Sequence, residues 1–105
     1  MQTITLTADK PEYLLEGRED KMSAEILKVT LKELPEQPLK LNVFDGNGFL
    51  LYAKLLIPEP KHPNTVLKSP YPEVAVNKRF IFSGFLKVQL EALAGSSFLV
   101  EVHFV

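Results

Sequence analysis

The chain has 105 residues, 12 basic and 13 acidic, with 46% hydrophobic and 10% aromatic positions. That is chain enough for one domain of the usual 100–150 residues or so, with enough apolar surface to exclude a disordered polymer. A net charge of −1 exerts no pull toward nucleic acid or an anionic membrane, and the lack of cysteine excludes disulfide frameworks, Cys-based zinc sites and thiol chemistry.

The first residues, Met1 to Thr7, alternate polar and apolar side chains. They offer neither a basic segment nor a continuous apolar core, so no signal peptide is expected. Ile4 and Leu6 lie opposite Thr3, Thr5 and Thr7, as in a strand with one buried face. Met22 to Leu34 reads two ways. Leu27, Leu31 and Leu34 fit a helical stripe, while Leu27-Lys28-Val29-Thr30-Leu31-Lys32 is a clean period-two alternation. Strands on both sides favour the strand.

Leu39, Leu41 and Val43 then alternate with Lys40 and Asn42, and Asp45-Gly46-Asn47-Gly48 predicts a short hairpin into the strand that opens at Phe49. The apolar run from Leu50 to Ile57 is interrupted by Lys54 and stops at Pro58. No run approaches the roughly 18–20 residues of a membrane span. Five of the eight prolines fall between Pro58 and Pro72. Proline donates no ladder hydrogen bond, so an extended surface connection is expected there. Long connections inside small domains are uncommon and are often functional. Phe80 and Phe82 share one face of a further strand. Leu86, Val88 and Leu90 form the next, Ala94-Gly95-Ser96-Ser97 a turn, and Phe98, Val100, Val102 and Phe104 a final strand.

About seven short strands in about 100 residues, with turns every 8–12 positions, suggest an all-β, immunoglobulin-like antiparallel β-sandwich spanning residues 1–105. Leu6-Thr7-Ala8-Asp9-Lys10-Pro11-Glu12-Tyr13, followed by Gly17 and an apolar strand, resembles the opening of bacterial immunoglobulin-like and macroglobulin-type domains. Leu41 to Gly48 is similar to their strand ending in an Asp-x-x-Gly hairpin. The likeness covers the first half of the chain. Gly17 stands one residue further from Tyr13 than usual, and the cysteine pair and tryptophan of antibody-type domains are absent. The resemblance implies a sandwich with a spacer or interaction role, and no activity.

Reactive groups are sparse. The two histidines, His62 and His103, have no His-x-x-x-His or His-x-Glu spacing, so neither is expected to bind metal or catalyse. His103 should lie with Leu99 and Glu101 on the solvated face of the last strand. Ser83, Ser96 and Ser97 lack a Gly-x-Ser-x-Gly elbow. Asp45 opens a piece of a calcium-loop pattern, but the twelfth position from it is Leu56 and not glutamate, so a plain hairpin is the better reading. Glu16, Glu19 and Asp20 mix with Arg18 and Lys21 as in a solvated loop. Gly46 and Gly48 lead into a strand and not a helix, so they are no phosphate cradle. Lys78-Arg79-Phe80-Ile81-Phe82 interleaves cations and aromatics, yet period-two phenylalanines are more simply core than a base-stacking platform. The Pro-x-x-Pro pieces at Pro35–Pro38 and Pro60–Pro63 fit loop stiffening as well as docking to a groove.

These readings converge on a non-catalytic module that works by contact with other proteins. A virion component such as a phage capsid decoration, fibre or tail protein is expected, soluble and without cofactor, metal, nucleic acid or membrane. A homo-oligomer or a place in a larger assembly is the expected state, and Met1 together with the strand-like C-terminus suggests a whole small protein. The expected contact residues are Pro58, Pro60, His62, Pro63, Pro70, Tyr71 and Pro72. The alternatives are an immunoglobulin-like spacer of a bacterial surface protein and a carbohydrate-binding sandwich. The latter would set Tyr13, Tyr52 and Tyr71 in an exposed row.

Overall fold

A computed structural model of the chain describes residues 2–17, 23–33, 39–57, 72–82, 84–92 and 96–105. Eight strands occur among them: β1 (Gln2–Thr7), β2 (Glu12–Glu16), β3 (Ser23–Glu33), β4 (Leu39–Asp45), β5 (Leu50–Leu56), β6 (Glu73–Ile81), β7 (Phe85–Glu91) and β8 (Leu99–Phe104). All pairings are antiparallel. They build two four-stranded sheets, β1-β8-β3-β6 and β2-β7-β4-β5. The sandwich class is the one its alternating strands predict, with eight strands.

The strand order has a simple logic. β4 pairs with β5, β3 with β6, β2 with β7 and β1 with β8. The chain is therefore one long hairpin, turned at Gly46 and Gly48 and rolled up so that successive pairs fall in alternate sheets. This is the order of a jelly roll. An immunoglobulin arrangement keeps its first two strands side by side. Here the chain leaves the first sheet after Thr7 and enters the second at Glu12. A tight turn makes that crossing, in which Thr7 and Lys10 exchange backbone hydrogen bonds at 3.1 Å in both directions. The Lys10-Pro11 step is thus a crossover between sheets, and the Pro11 carbonyl extends the β2–β7 ladder by accepting from Leu90 N–H at 2.8 Å.

Strand register explains why Met22–Leu34 reads two ways. Residues 23–33 are one strand, but Ile26 pairs with Phe104 and Lys28 with His103, which leaves Leu27 as an extra residue. On the other side, Val76 and Asn77 of β6 together oppose Leu27, and Asn77 adopts φ 49°. Such a bulge resets the parity of a strand. Ala24 and Ile26 face the core before it, and Val29 and Leu31 face the core after it. The three-residue step from Ile26 to Val29 breaks the period-two alternation at Leu27. Of the helical stripe Leu27, Leu31 and Leu34, Leu31 enters the core, Leu27 is the bulged residue, and Leu34 lies outside the described residues.

The turn after β4 follows its chemistry closely. The Asp45 carbonyl accepts from Gly48 N–H at 3.0 Å, and Gly48 takes φ 83°. The Asp45 carboxylate accepts from the N–H groups of Asn47 at 2.9 Å and Phe49 at 3.1 Å. A turn completed by a left-handed glycine is a common three-residue hairpin.

The core lies between the sheets. Leu6, Ile26, Val29 and Leu31 meet Leu39, Leu41, Val43 and Leu86 there, and all are essentially inaccessible to solvent. Phe80 and Phe82 are buried as well, as are Phe98, Val100, Val102 and Phe104 of the last strand. Each such side chain contributes roughly 1.5–3 kcal/mol by burial.

Candidate interaction face

The two outward faces of the sandwich differ in kind. On the β1-β8-β3-β6 sheet the outward side chains are mostly polar: Thr3 and Thr5, Glu101 and His103, Lys28 and Thr30, Glu73, with Ala75 and the 80% exposed Ile81 as apolar positions on the edge strand β6. His103 sits at the middle of a hydrogen-bonded chain that spans all four strands. Thr30 Oγ1 donates to Glu73 Oε2 at 3.2 Å and lies 2.8 Å from His103 Nε2. A hydroxyl has one proton, so Nε2–H donates to Thr30. In the neutral ring Nδ1 then accepts from the Thr3 hydroxyl at 3.0 Å.

Lys28 Nζ closes the chain at 2.6 Å from Glu73. The Lys28 ammonium holds the Glu73 carboxyl below its ordinary value, against the opposing effect of desolvation, with Thr30 and His103 adding to the lowering. Lys32 and Glu101 pair at 3.0 Å beside it. Every polar group in this network is spent on holding neighbouring strands together.

The outward face of β2-β7-β4-β5 is different. Cross-strand register sets Leu14, Lys87, Phe44 and Leu50 in one row. Glu12, Gln89, Asn42 and Ala53 form the next row, and Glu91, Lys40 and Leu55 a third. Leu14, Leu50 and Leu55 are 52%, 54% and 53% exposed, although single-layer sheets normally present polar groups to water.

Glu12, Gln89, Asn42, Glu91 and Lys87 on this face already have partners. Gln89 Nε2 donates to Glu12 at 2.9 Å, Asn42 Nδ2 donates to Glu91 at 3.2 Å, and Lys87 lies 4.0 Å from Glu12. The Lys87 ammonium also stands 4.9 Å from the centroid of the Phe44 ring. Covering this face with another surface would strip water from leucines and from polar groups most of which are already paired. That combination lowers the cost of docking.

Of the expected contact residues, Pro58, Pro60, His62, Pro63, Pro70 and Tyr71 lie outside the described residues. Pro72 is described: half-buried, it accepts from Leu31 N–H at 2.9 Å through its carbonyl, so its backbone extends the β3–β6 pairing. The phenols do not line up. Tyr13 on β2 and Tyr52 on β5 occupy opposite edges of one sheet, both on its core side. Tyr52 packs against Phe80 with ring centroids 5.7 Å apart, under Lys78.

The apolar face had a signal in the sequence that alternation hides. Tyr13-Leu14-Leu15, Val43-Phe44 and Leu50-Leu51 are apolar at consecutive positions, which in a strand places apolar groups on both faces. Among the described residues no three His, Asp or Glu side chains converge as metal ligands would, and no helix is long and apolar enough to cross a membrane. No protein-family model matches the chain, and no curated protein matches it either.

Proposed function

We propose that this chain is a non-catalytic structural module that docks the outward face of its β2-β7-β4-β5 sheet onto another protein surface. A virion part such as a capsid decoration, fibre or tail protein is the setting that suits it. The observation that carries the reading is the contrast between the middles of the two faces, one a polar network that links all four strands and the other a face with three half-exposed leucines around polar groups that are mostly paired with one another. Half-exposed leucines at both edges of one sheet face, Leu14 on β2 and Leu50 and Leu55 on β5, give that face apolar area to bury. The jelly-roll strand order adds an analogy of fold alone, since capsid domains and lectins both use it. A glycan-binding role has less support, because the two described phenols form no row. The bacterial spacer reading rests on the motif resemblance of the first half of the chain.

The test is made in the source cells. A tagged chain should sediment in a density gradient with a particle far larger than itself. Leu14→Arg/Leu55→Arg should move it to the top of the gradient while leaving its circular dichroism unchanged, and Thr5→Arg on the polar face should not. Wild-type protein found only at the top, or a face variant that still co-sediments, would sink the reading.

A further inference from the structure

We infer that the surface docked on this face is a second copy of the same chain, related by a two-fold axis that runs parallel to the strands between β4 and β7. The inference rests on the docking reading above and names its partner. A two-fold contact brings one patch against itself, so the patch must be self-complementary. The register allows that to be checked row by row. Rotation about this axis lays β7 over β4 of the second copy and β2 over β5, with the rows kept in step. Glu91 then meets Lys40 of the second copy, and Lys40 meets its Glu91. Gln89 meets Asn42, an amide against an amide. Lys87 meets the Phe44 ring, repeating between copies the cation–π contact made within each chain. Leu14 meets Leu50.

No like charges oppose one another in any of these pairs. That follows from the placement of acids on β2 and β7 and of the lysine and phenylalanine on β4, on opposite sides of the axis. β4 and β7 are the central strands of the sheet. Their pairs therefore lie nearest the axis, and the crossing angle of about 30° between aligned sheets displaces them least. Size permits the contact too. The molecule measures 45 × 32 × 18 Å, and its broad side can bury the roughly 800 Å² per partner of a stable interface.

The charge pairs provide the experiment, run by sedimentation velocity on purified protein. Wild-type protein should be dimeric. Lys40→Glu sets two acids against each other twice across the axis, and Glu91→Lys does the same with two lysines. Each variant alone should associate at least about tenfold more weakly while keeping wild-type circular dichroism. Mixed together they should form a heterodimer, because both cross-axis pairs are then of opposite sign. Restoration within one chain cannot produce that result. If either variant folds poorly, Leu14→Arg and Leu50→Asp give a second complementary pair at the edge of the contact.

A wild-type protein that stays monomeric at all concentrations overturns the second copy as occupant. Variants that still dimerise alone, or a mixture that stays monomeric, overturn the two-fold register. A monomeric wild type whose gradient position in cells still depends on Leu14 and Leu55 would leave the docking reading standing with a different partner.

Discussion

His103 shows what a single residue carries in this protein. Strand parity placed it outward beside Glu101, and there it lies. Its partners, Thr3 and Thr30, are 100 and 73 positions away, and no local pattern names them. Glu73 completes the network at the edge of the sheet. Its carboxyl titrates below the ordinary value of 4.5 because the Lys28 ammonium stabilises its charged form. A lowered folded-state value means that the contribution is fully present above about pH 4.5 and is lost as pH falls through the folded value. Both side chains are about a third or more exposed, so the pair stabilises by only about 0.2–1 kcal/mol. Glu73→Gln should therefore melt below wild type at neutral pH. The gap should close as pH is lowered past 4.5, measured by thermal melts across the acid range. A gap unchanged at pH 3 would contradict the ion pair as its source.

At the scale of the element, the bulge between β3 and β6 is the feature that local reading resolves least well. Alternation read from Leu27 puts Leu27 in the core with Val29 and Leu31, but the inserted residue is Leu27 itself, and the core positions before it are Ala24 and Ile26. Only the partner strands, β6 and β8, show where the insertion lies. Asn77 answers the bulge from β6 with a left-handed backbone, a conformation that asparagine tolerates and β-branched residues do not. Asn77→Gly should leave urea stability unchanged or slightly raised. Asn77→Val should cost about 1–3 kcal/mol, and equal midpoints for the two variants would remove the strain argument. By contrast the Gly46–Gly48 hairpin was legible outright, since its hydrogen bonds and its positive φ are settled within four residues.

For the whole molecule, the rolled hairpin makes the ends of the chain neighbours. Gln2 pairs with Phe104, and β8 lies between β1 and β3. Removing Phe98 to Val105 would leave β1 without a partner and open the core where Phe98, Val100, Val102 and Phe104 are buried. Large-to-small losses of this kind cost roughly 2–5 kcal/mol per residue, against a total stability of about 5–15 kcal/mol for a small domain. A chain ending at 97 should show no cooperative melt. A folded truncated form would mean that β8 is dispensable.

The outward leucines were readable in the same sequence as consecutive apolar pairs, but their significance was not. Leu14, Phe44 and Leu50 come into one row, with Lys87 between Leu14 and Phe44, only when β2, β7, β4 and β5 stand side by side. By itself the sequence determined the all-β class, the chemistry of the Asp45–Gly48 turn and the core side of the strands that alternate cleanly, such as β1, β7 and β8, because those depend on contacts a few residues apart. The tertiary structure alone decided which strands are neighbours, where the bulge shifts the phase, and that a polar network links the strands of one face while half-exposed leucines flank the polar rows of the other. Those depend on pairings between residues as far apart as the two ends of the chain.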